Sequence, residues 1–185
     1  MDKPNRDNII LIGFMGVGKT TVGKLLSQRI GYEFIDTDDL IVSTAGIPIT
    51  DIFSRYGESY FRILEKRAIA HALKRPGIVL ATGGGAVTDP DNFFFLKERG
   101  CVIALDAEED ILWDRLKAAT DRPMLFSGKP RERMKALLKA RRPIYHKAHF
   151  IVSVDDKTPE EVADEIISII RSDECISGKE KRCGK

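Results

Sequence analysis

The chain lacks the features that mark disulfide-stapled, secreted or membrane-spanning proteins. Its 185 residues include only three cysteines, an odd count without the C-x-x-C spacing of a zinc site or redox motif, which argues against a disulfide framework. No uninterrupted apolar run is long enough to cross a bilayer. The polar segment 1–7 has no apolar core of the kind found in secretory signals. We therefore expect a cytoplasmic protein that has no membrane partner.

Charge is unevenly distributed, although the formal net charge is only +2. Residues 117–142 carry nine Lys or Arg and two acidic residues, and residues 178–185 carry four basic residues and one acidic residue. These segments lack the interleaved aromatic residues that stack on single-stranded nucleic acid. We therefore expect no nucleic-acid partner, and we assign the basic charge to solvated faces or to an anionic small molecule.

The strongest motif is a phosphate-binding loop near the N-terminus. Residues 13–20 read GFMGVGKT, a full match to G-x-x-x-x-G-K-[ST], between an apolar run and an amphipathic stretch. In such a loop the backbone N–H groups bind phosphates, while Lys19 adds a mobile positive charge and Thr20 offers a hydroxyl to Mg²⁺. The segment predicts binding of a nucleoside triphosphate. Its further predicted contacts are Gly16, Val17, Gly18 and Thr21.

Apolar runs alternate with amphipathic stretches along the chain, a pattern typical of a parallel sheet covered by helices on both faces. We predict one α/β domain over residues 1–172, with three α/β/α layers around a five-stranded parallel sheet. The predicted strands are 8–12, 33–36, 77–82, 101–105 and 149–154. The predicted helices are 19–30, 38–45, 49–56, 60–73, 90–98, 108–117, 132–145 and 159–171. Proline, glycine and charge predict a mobile lid over about 117–132, and polar composition predicts a disordered tail over 173–185.

Carboxylates follow the second predicted strand, at the strand end where ligands bind in sheets of this kind. Asp36 and Asp38 leave the strand on the same side of the chain, so one suits Mg²⁺ and the other suits an attacking hydroxyl. The alternative is that the acids cap the helix that starts near Leu40, with Asp39 as the candidate for that role.

The third predicted strand leads into Thr82 and three glycines, where phosphate-loop proteins often have an acidic residue. Gly83, Gly84 and Gly85 allow the backbone to approach a ligand closely, and a flexible turn is the alternative. Asp106 ends a later strand, and we interpret it as a turn or cap residue.

Arginines recur at positions that suit an anionic substrate. Arg62 and Glu65 share one face of a helix, and this spacing fits either an oriented anion-binding arginine or a surface ion pair. Arg122 lies in the predicted lid, where closure would bring it over the γ-phosphate. Arg141 and Arg142 end the next helix and place a guanidinium near the cleft. We assign surface or packing roles to the histidines His71, His146 and His149.

Together these motifs resemble the shikimate kinase family, which has the nucleoside monophosphate kinase-like phosphate-loop fold. The resemblance covers about residues 8–171, on GFMGVGKT, DTD, FR-x-x-E, TGGG, DRP-x-L and RRP-x-Y in that order. It implies a kinase that uses ATP and Mg²⁺ to phosphorylate the 3-hydroxyl of shikimate in aromatic amino acid (chorismate) biosynthesis. We expect it to act as a monomer on this small-molecule substrate.

The resemblance also implies roles for matching residues. The catalytic residues would be Lys19, Asp38 and Arg122, with Asp38 as the base or orienter of the hydroxyl. Thr20 would bind Mg²⁺ directly and Asp36 through water. Beside the loop, the ATP-binding residues would be Arg115, Arg122 and Pro159, with Lys157 and Thr158 near the adenine. The substrate-binding residues would be Asp38, Ile49, Phe53, Phe61, Arg62, Glu65, Gly83, Gly84, Gly85 and Arg141, where the R-x-P-x-Y spacing favours Arg141 over Arg142.

Four alternatives remain open from the sequence. Gluconate kinase shares the loop and fold class, but it would not explain the DTD, FR and GGG motifs together. A nucleoside monophosphate kinase would need base-reading groups that the sequence does not reveal. A guanine-nucleotide switch predicts an Asn-Lys-x-Asp element, which is absent. A regulator that binds ATP or shikimate without turnover is disfavoured by Lys19, Asp36 and Asp38.

Overall fold

Five parallel strands form the centre of the protein, for which a computed structural model describes residues 7–117 and 129–172. The strands are β1 Ile9–Gly13, β2 Glu33–Asp36, β3 Ile78–Ala81, β4 Cys101–Asp106 and β5 Phe150–Ser153. They lie in the order β2-β3-β1-β4-β5, and every pairing is parallel. Every residue of β1 and β3 is buried, which explains why these strands read as continuous apolar runs.

Helices connect the strands and follow the last one. They are α1 Lys19–Ile30, α2 Thr37–Ala45, α3 Ile49–Ala72, α4 Pro90–Arg99, α5 Glu109–Lys117, α6 Pro130–Tyr145 and α7 Pro159–Ser172. A short 3₁₀ helix, Ala86–Thr88, precedes α4. The segment α3 consists of two helical stretches that meet at a kink at Gly57, where φ is 78° and ψ is 174°, in agreement with the predicted helices 49–56 and 60–73.

The helices cover both faces of the sheet, as predicted. Helices α1 and α7 pack against each other on one face. Helix α4 runs from β3 to β4, across the sheet in the direction opposite to α1, so the right-handed crossover rule places it on the other face. The main core lies between these layers, and a smaller core of Ile41, Ile52, Phe61 and Ala68 joins α2 to α3. No helix among the described residues is long and apolar enough to span a membrane.

The strand order creates a crevice at the carboxyl edge of the sheet. The connection that leaves β1 runs toward β2, and the connection that leaves the neighbouring β4 runs toward β5 on the opposite side. A parallel sheet binds ligands where such connections diverge. The phosphate loop, the DTD acids and the three glycines all follow strands at this edge.

Candidate active site

The phosphate loop joins β1 to α1 at the crevice. Gly13, Gly16 and Gly18 have φ values of 140°, 79° and 102°, a region that other residues rarely adopt. A Cβ atom on Gly13 would also collide with the carbonyl oxygen of Leu105. No side chain caps α1, so its first N–H groups and the positive end of its dipole face the loop. The predicted anion site is therefore built from backbone groups.

Lys19 and Thr20 begin α1 and contact the groups around them. The Lys19 Nζ donates to the carbonyl oxygens of Gly13 at 2.9 Å and Phe14 at 3.0 Å, so the ammonium group lies over the loop. The Thr20 hydroxyl donates to Asp36 Oδ2 at 2.7 Å. Because Asp36 ends β2, the fold brings the two predicted Mg²⁺-binding residues together at the mouth of the loop.

These two oxygen donors fit Mg²⁺. Within residues 7–117 and 129–172, no group of three or more His, Cys, Asp or Glu could hold a metal. Mg²⁺, however, is usually bound by one or two protein oxygens together with phosphate oxygens and water. The hydroxyl of Thr20 and the carboxylate of Asp36 meet that requirement beside the predicted triphosphate site.

Asp36 also caps α2, so the expectation that Asp39 does so is wrong. Asp36 Oδ1 accepts a hydrogen bond from the backbone N–H of Asp38 at 2.9 Å. The capping residue is the one that precedes the first helical residue, and α2 begins at Thr37. Asp39 lies one turn too late and is exposed.

A cavity of about 320 Å³ lies beside the loop and between α5 and α7. Arg115 donates from Nη1 to the Val17 carbonyl oxygen at 3.3 Å, which holds α5 against the loop. Lys157 also lines the cavity, where it donates to Glu165 Oε2 at 2.7 Å. The cavity brings together the predicted ATP contacts Gly16, Val17, Gly18, Thr21, Arg115 and Pro159.

Thr158 caps α7 beside this cavity, as its position before Pro159 suggests. Its hydroxyl accepts from the Glu161 N–H at 3.2 Å, and its own N–H donates to Glu161 Oε2 at 2.7 Å. This reciprocal pair is a capping box, and it holds the start of α7 in place. Hydrogen bonds from the backbone and the side chain of Thr158 lower the pKa of the exposed Glu161 carboxyl.

Gly83, Gly84 and Gly85, called the glycine triplet below, lie directly against the phosphate loop. A Cβ atom on Gly84 would lie 3.3 Å from the backbone nitrogen of Met15. On the other side, the Gly84 carbonyl oxygen accepts from the Tyr145 hydroxyl at 2.6 Å and from Arg141 Nη1 at 3.5 Å. The triplet therefore forms the wall between the phosphate loop and the carboxyl end of α6.

Two carboxylates and two arginines surround the glycine triplet. A Cβ atom on Gly83 would lie 2.8 Å from Glu65 Oε1 and 2.9 Å from Asp38 Oδ1. A Cβ atom on Gly85 would lie 2.7 Å from Arg62 Nη1. Arg141 is close enough to Glu65 to lower the pKa of its carboxyl. Groups from α2, α3 and α6 thus converge on one short stretch of backbone.

The pair of Arg62 and Glu65 belongs to this cluster and is not an ordinary surface ion pair. Arg62 Nη1 donates to Glu65 Oε2 at 2.7 Å, and Nη2 donates to Glu58 Oε1 at 2.9 Å. The Glu65 side chain is only 1% exposed, whereas a surface pair would leave both partners in water. Two carboxylates therefore fix the orientation of one guanidinium.

Burial raises the pKa of the Glu65 carboxyl, and the nearby charge of Asp38 raises it further, against the opposing effect of Arg62. Glu65 Oε1 is buried and accepts no hydrogen bond from the described part of the chain. Burial lowers the pKa of Arg62, but its hydrogen bonds to Glu58 and Glu65 outweigh that effect and the net pKa is raised. Arg62 is thus held as a permanent cation that can bind an anionic group.

Two aromatic rings lie beside Arg62. The ring centroids of Phe53 and Phe61 are 4.6 Å apart, and the Arg62 guanidinium lies 5.4 Å from the Phe61 ring. Residues eight positions apart in a straight helix are separated by about 12 Å along its axis. The bend at Gly57 therefore brings the two rings together, and Ile49 packs against the same small core.

Arg141 and Arg142 have different environments. Arg142 donates from Nε to Asp106 Oδ1 at 3.0 Å and from Nη2 to the Ala107 carbonyl oxygen, so it ties α6 to the end of β4. Asp106 also accepts from the Ala107 N–H at 3.0 Å and contacts His146 Nε2 at 2.7 Å. Arg141 lies beside the glycine triplet instead.

Asp106 thus binds the N–H of the residue that follows it, which fits the turn role expected of it, and it gives His146 the partner that the sequence did not reveal. His149 has the expected packing role, since its Nδ1 accepts from the Val102 N–H at 2.9 Å. Arg122, most of the predicted lid and the predicted tail lie outside the described residues.

The sequence analysis missed two residues that contact the glycine triplet. Thr37 accepts from the Gly83 N–H at 2.9 Å, and Tyr145 donates to Gly84. Tyr145 is four residues after Arg141, a spacing that places both on one face of α6. That spacing was a usable signal, whereas nothing local distinguishes Thr37 from an ordinary helix-start threonine.

Known proteins are similar to this chain in sequence and in fold. A family model described as shikimate kinase matches residues 15–171. The shikimate kinase of Thermodesulfovibrio yellowstonii is 46% identical over 160 residues, which cover 86% of this chain and 92% of the relative. The solved structure of a shikimate kinase from Acinetobacter baumannii in complex with shikimate has a TM-score of 0.87 at 37% identity, and the match covers 91% and 95% of the two chains.

A gluconokinase structure from Sinorhizobium meliloti 1021 is a more distant match. It is 19% identical, with a TM-score of 0.53, and the match covers 91% of this chain and 92% of the other. At this level of identity the likeness extends to the fold alone, so the match gives no support to the gluconate kinase alternative.

Proposed function

The chain belongs to the shikimate kinase family, and from this premise we propose how it transfers the γ-phosphoryl group of ATP to the 3-hydroxyl of shikimate. One observation carries the proposal. Asp38, Arg62 and Arg141 surround a glycine triplet whose other side lies against the phosphate loop. An anionic acceptor held by the arginines would therefore lie beside the phosphate loop, where its hydroxyl can contact the γ-phosphate directly.

On the donor side, the residues bind and neutralise the triphosphate. The loop N–H groups hold the phosphates, and Lys19 can leave its carbonyl partners to contact the β- and γ-phosphates. Thr20 and Asp36 would hold Mg²⁺, whose positive charge would offset that of the phosphate oxygens. We assign the adenosine to the cavity beside Arg115 and Pro159. Arg122 remains the proposed lid arginine.

On the acceptor side, the residues orient shikimate. Arg62 and Arg141 would bind its carboxylate, because guanidinium groups suit the planar geometry of that anion. Phe53 and Phe61 would line the ring. Asp38 would align the attacking hydroxyl and accept its proton, which requires contact with that hydroxyl in the bound state. Positioning and electrostatic stabilisation would then supply most of the rate enhancement.

Glu65 would act through Arg62 and not on the substrate. Its carboxylate holds Nη1 at 2.7 Å, so the guanidinium is oriented before an acceptor arrives. We also propose that the protein acts as a monomer, since the phosphate loop and the acceptor cluster come from one chain. Light scattering during turnover tests this, and activity confined to a dimer would contradict it.

The proposed function is tested by ADP release from Mg-ATP with shikimate, gluconate, AMP or no acceptor. We expect release with shikimate only. Asp38→Asn should reduce turnover by about 100-fold or more, as expected for loss of a general base, while ATP affinity stays near that of the wild type. The matched control is Asp39→Asn, which removes a neighbouring exposed carboxylate and should leave turnover unchanged.

Two outcomes would change this assignment. Turnover by Asp38→Asn at the wild-type rate would remove Asp38 from the mechanism. ADP release that depends on gluconate or AMP, and not on shikimate, would assign the acceptor site to a different substrate.

A further inference from the structure

Two buried hydroxyl groups hold the glycine triplet in position. The triplet has no side chains, so contacts from other elements must locate it. Thr37 on α2 accepts from the Gly83 N–H at 2.9 Å, and Tyr145 on α6 donates to the Gly84 carbonyl oxygen at 2.6 Å. Thr37 is fully buried and Tyr145 is 2% exposed, so water does not compete for either contact.

The Tyr145 hydroxyl and the Arg141 guanidinium share one acceptor. Both donate to the Gly84 carbonyl oxygen, the hydroxyl at 2.6 Å and Nη1 at 3.5 Å. A carbonyl oxygen has two lone pairs, so it can accept from both neighbours together. Tyr145 therefore links the position of the backbone wall to the direction of an arginine.

Tyr145 keeps its proton under all physiological conditions. Burial raises the pKa of its hydroxyl to about 12, and the opposing charge of Arg141 does not cancel that effect. The hydroxyl consequently remains a hydrogen-bond donor to Gly84. Its ring belongs to the main core, so the oxygen has little freedom to move.

We propose that Tyr145 and Thr37 are positioning residues that set the glycine triplet and Arg141 for the phosphoryl acceptor. The inference rests on the proposed function, because it takes the triplet and Arg141 to be part of the acceptor site. Neither hydroxyl is assigned a role in the chemical step. Their loss should therefore weaken acceptor binding more than it changes ATP binding or the maximal rate.

The first test is Tyr145→Phe in the full chain, since this change removes one oxygen atom and keeps the ring. We expect the KM for shikimate to rise about fivefold or more, as for loss of one buried hydrogen bond. The KM for ATP and kcat should each stay within about twofold. Tyr32→Phe is the matched control, because Tyr32 precedes β2 at the opposite edge of the sheet, and neither KM should change.

The second test addresses the other hydroxyl and decides the matter where Tyr145→Phe fails to fold. Thr37→Val removes the oxygen at nearly constant volume and should raise the KM for shikimate. Thr37→Ser keeps the hydroxyl, so its KM for shikimate should equal that of the wild type. Calorimetric titration of each variant with shikimate gives the same comparison without turnover.

A merely structural role predicts a different result. It would lower the melting temperature and the active fraction, but the KM of the active enzyme would not change. If the wild type phosphorylates shikimate and the KM for shikimate is unchanged in both Tyr145→Phe and Thr37→Val, the positioning role is refuted and the proposed function stands. A wild type that does not phosphorylate shikimate would overturn the proposed function and this inference with it.

Discussion

Gly85→Ala should displace Arg62 without straining the backbone. Gly85 has φ −100° and ψ −7°, a conformation that alanine also adopts. The new Cβ atom would lie 2.7 Å from Nη1 and 2.8 Å from Nη2 of Arg62. Because ordinary contact begins at 3.4 Å, the guanidinium must retreat by about 0.7 Å.

This displacement should weaken substrate binding in an enzyme that still folds. Arg62 is 31% exposed and can move toward Glu58, but the move weakens its hydrogen bond to the buried Glu65, so we expect a stability loss of about 1–3 kcal/mol. A hydrogen bond to a charged group contributes about 1.5–3 kcal/mol. Loss of one such bond to the acceptor carboxylate would raise the KM for shikimate about 10- to 150-fold.

Initial rates with shikimate and ATP varied separately measure this effect. The KM for ATP should stay constant in Gly85→Ala, because the added methyl group meets Arg62 and not the phosphate loop. Gly84→Ala is the informative contrast. Its Cβ atom would lie 3.3 Å from the Met15 backbone nitrogen, so it should raise the KM for ATP. A folded Gly85→Ala enzyme with wild-type shikimate KM would refute the placement of Arg62 in the acceptor site.

Two further predictions concern stability. Arg142→Ala should lower the free energy of unfolding by about 1–2 kcal/mol, because it breaks a partly buried pair with Asp106. Arg141→Ala should instead raise the KM for shikimate. Denaturant unfolding and steady-state kinetics are measured on both variants, and exchanged effects would contradict this prediction. The pKa of Glu65 is raised in the folded state, so folding favours the protonated carboxyl. The stability that protonated Glu65 contributes is therefore complete below its usual pKa of 4.5, and it is lost as pH rises through the pKa of the folded state. The free energy of unfolding of the wild type, measured relative to Glu65→Gln in urea, should therefore fall with rising pH, and a difference that rises with pH would count against the assigned direction.

Local patterns predicted the secondary structure closely. Each observed strand and α-helix lies within two residues of its predicted bounds, with α3 covering the two predicted helices on either side of its kink, whereas the 3₁₀ helix Ala86–Thr88 was not predicted. The apolar runs of β1 and β3 and the amphipathic helices are signals that repeat within a few residues. The kink at Gly57 lies within the predicted break between the helices 49–56 and 60–73.

The sequence predicted the chemistry of single motifs better than the contacts between them. The pairing of Asp106 with Arg142 and His146 was not visible, because the two sides of that contact lie 36 and 40 residues apart. The different contacts of Arg141 and Arg142 were also not visible, since adjacent helix positions face different partners. The burial of Glu65, which separates it from a surface ion pair, likewise depends on what packs over α3.

The sequence by itself determined the phosphate loop, the order of strands and helices along the chain, and the residue types available for binding an anion and a hydroxyl. These features depend on glycine conformations, helix and strand periods and caps, which act over a few residues. Only the tertiary structure decided which of these groups meet. Thr37 and Gly83 are 46 residues apart and Gly84 and Tyr145 are 61 apart, and the order of strands in the sheet and the packing of α6 close those distances.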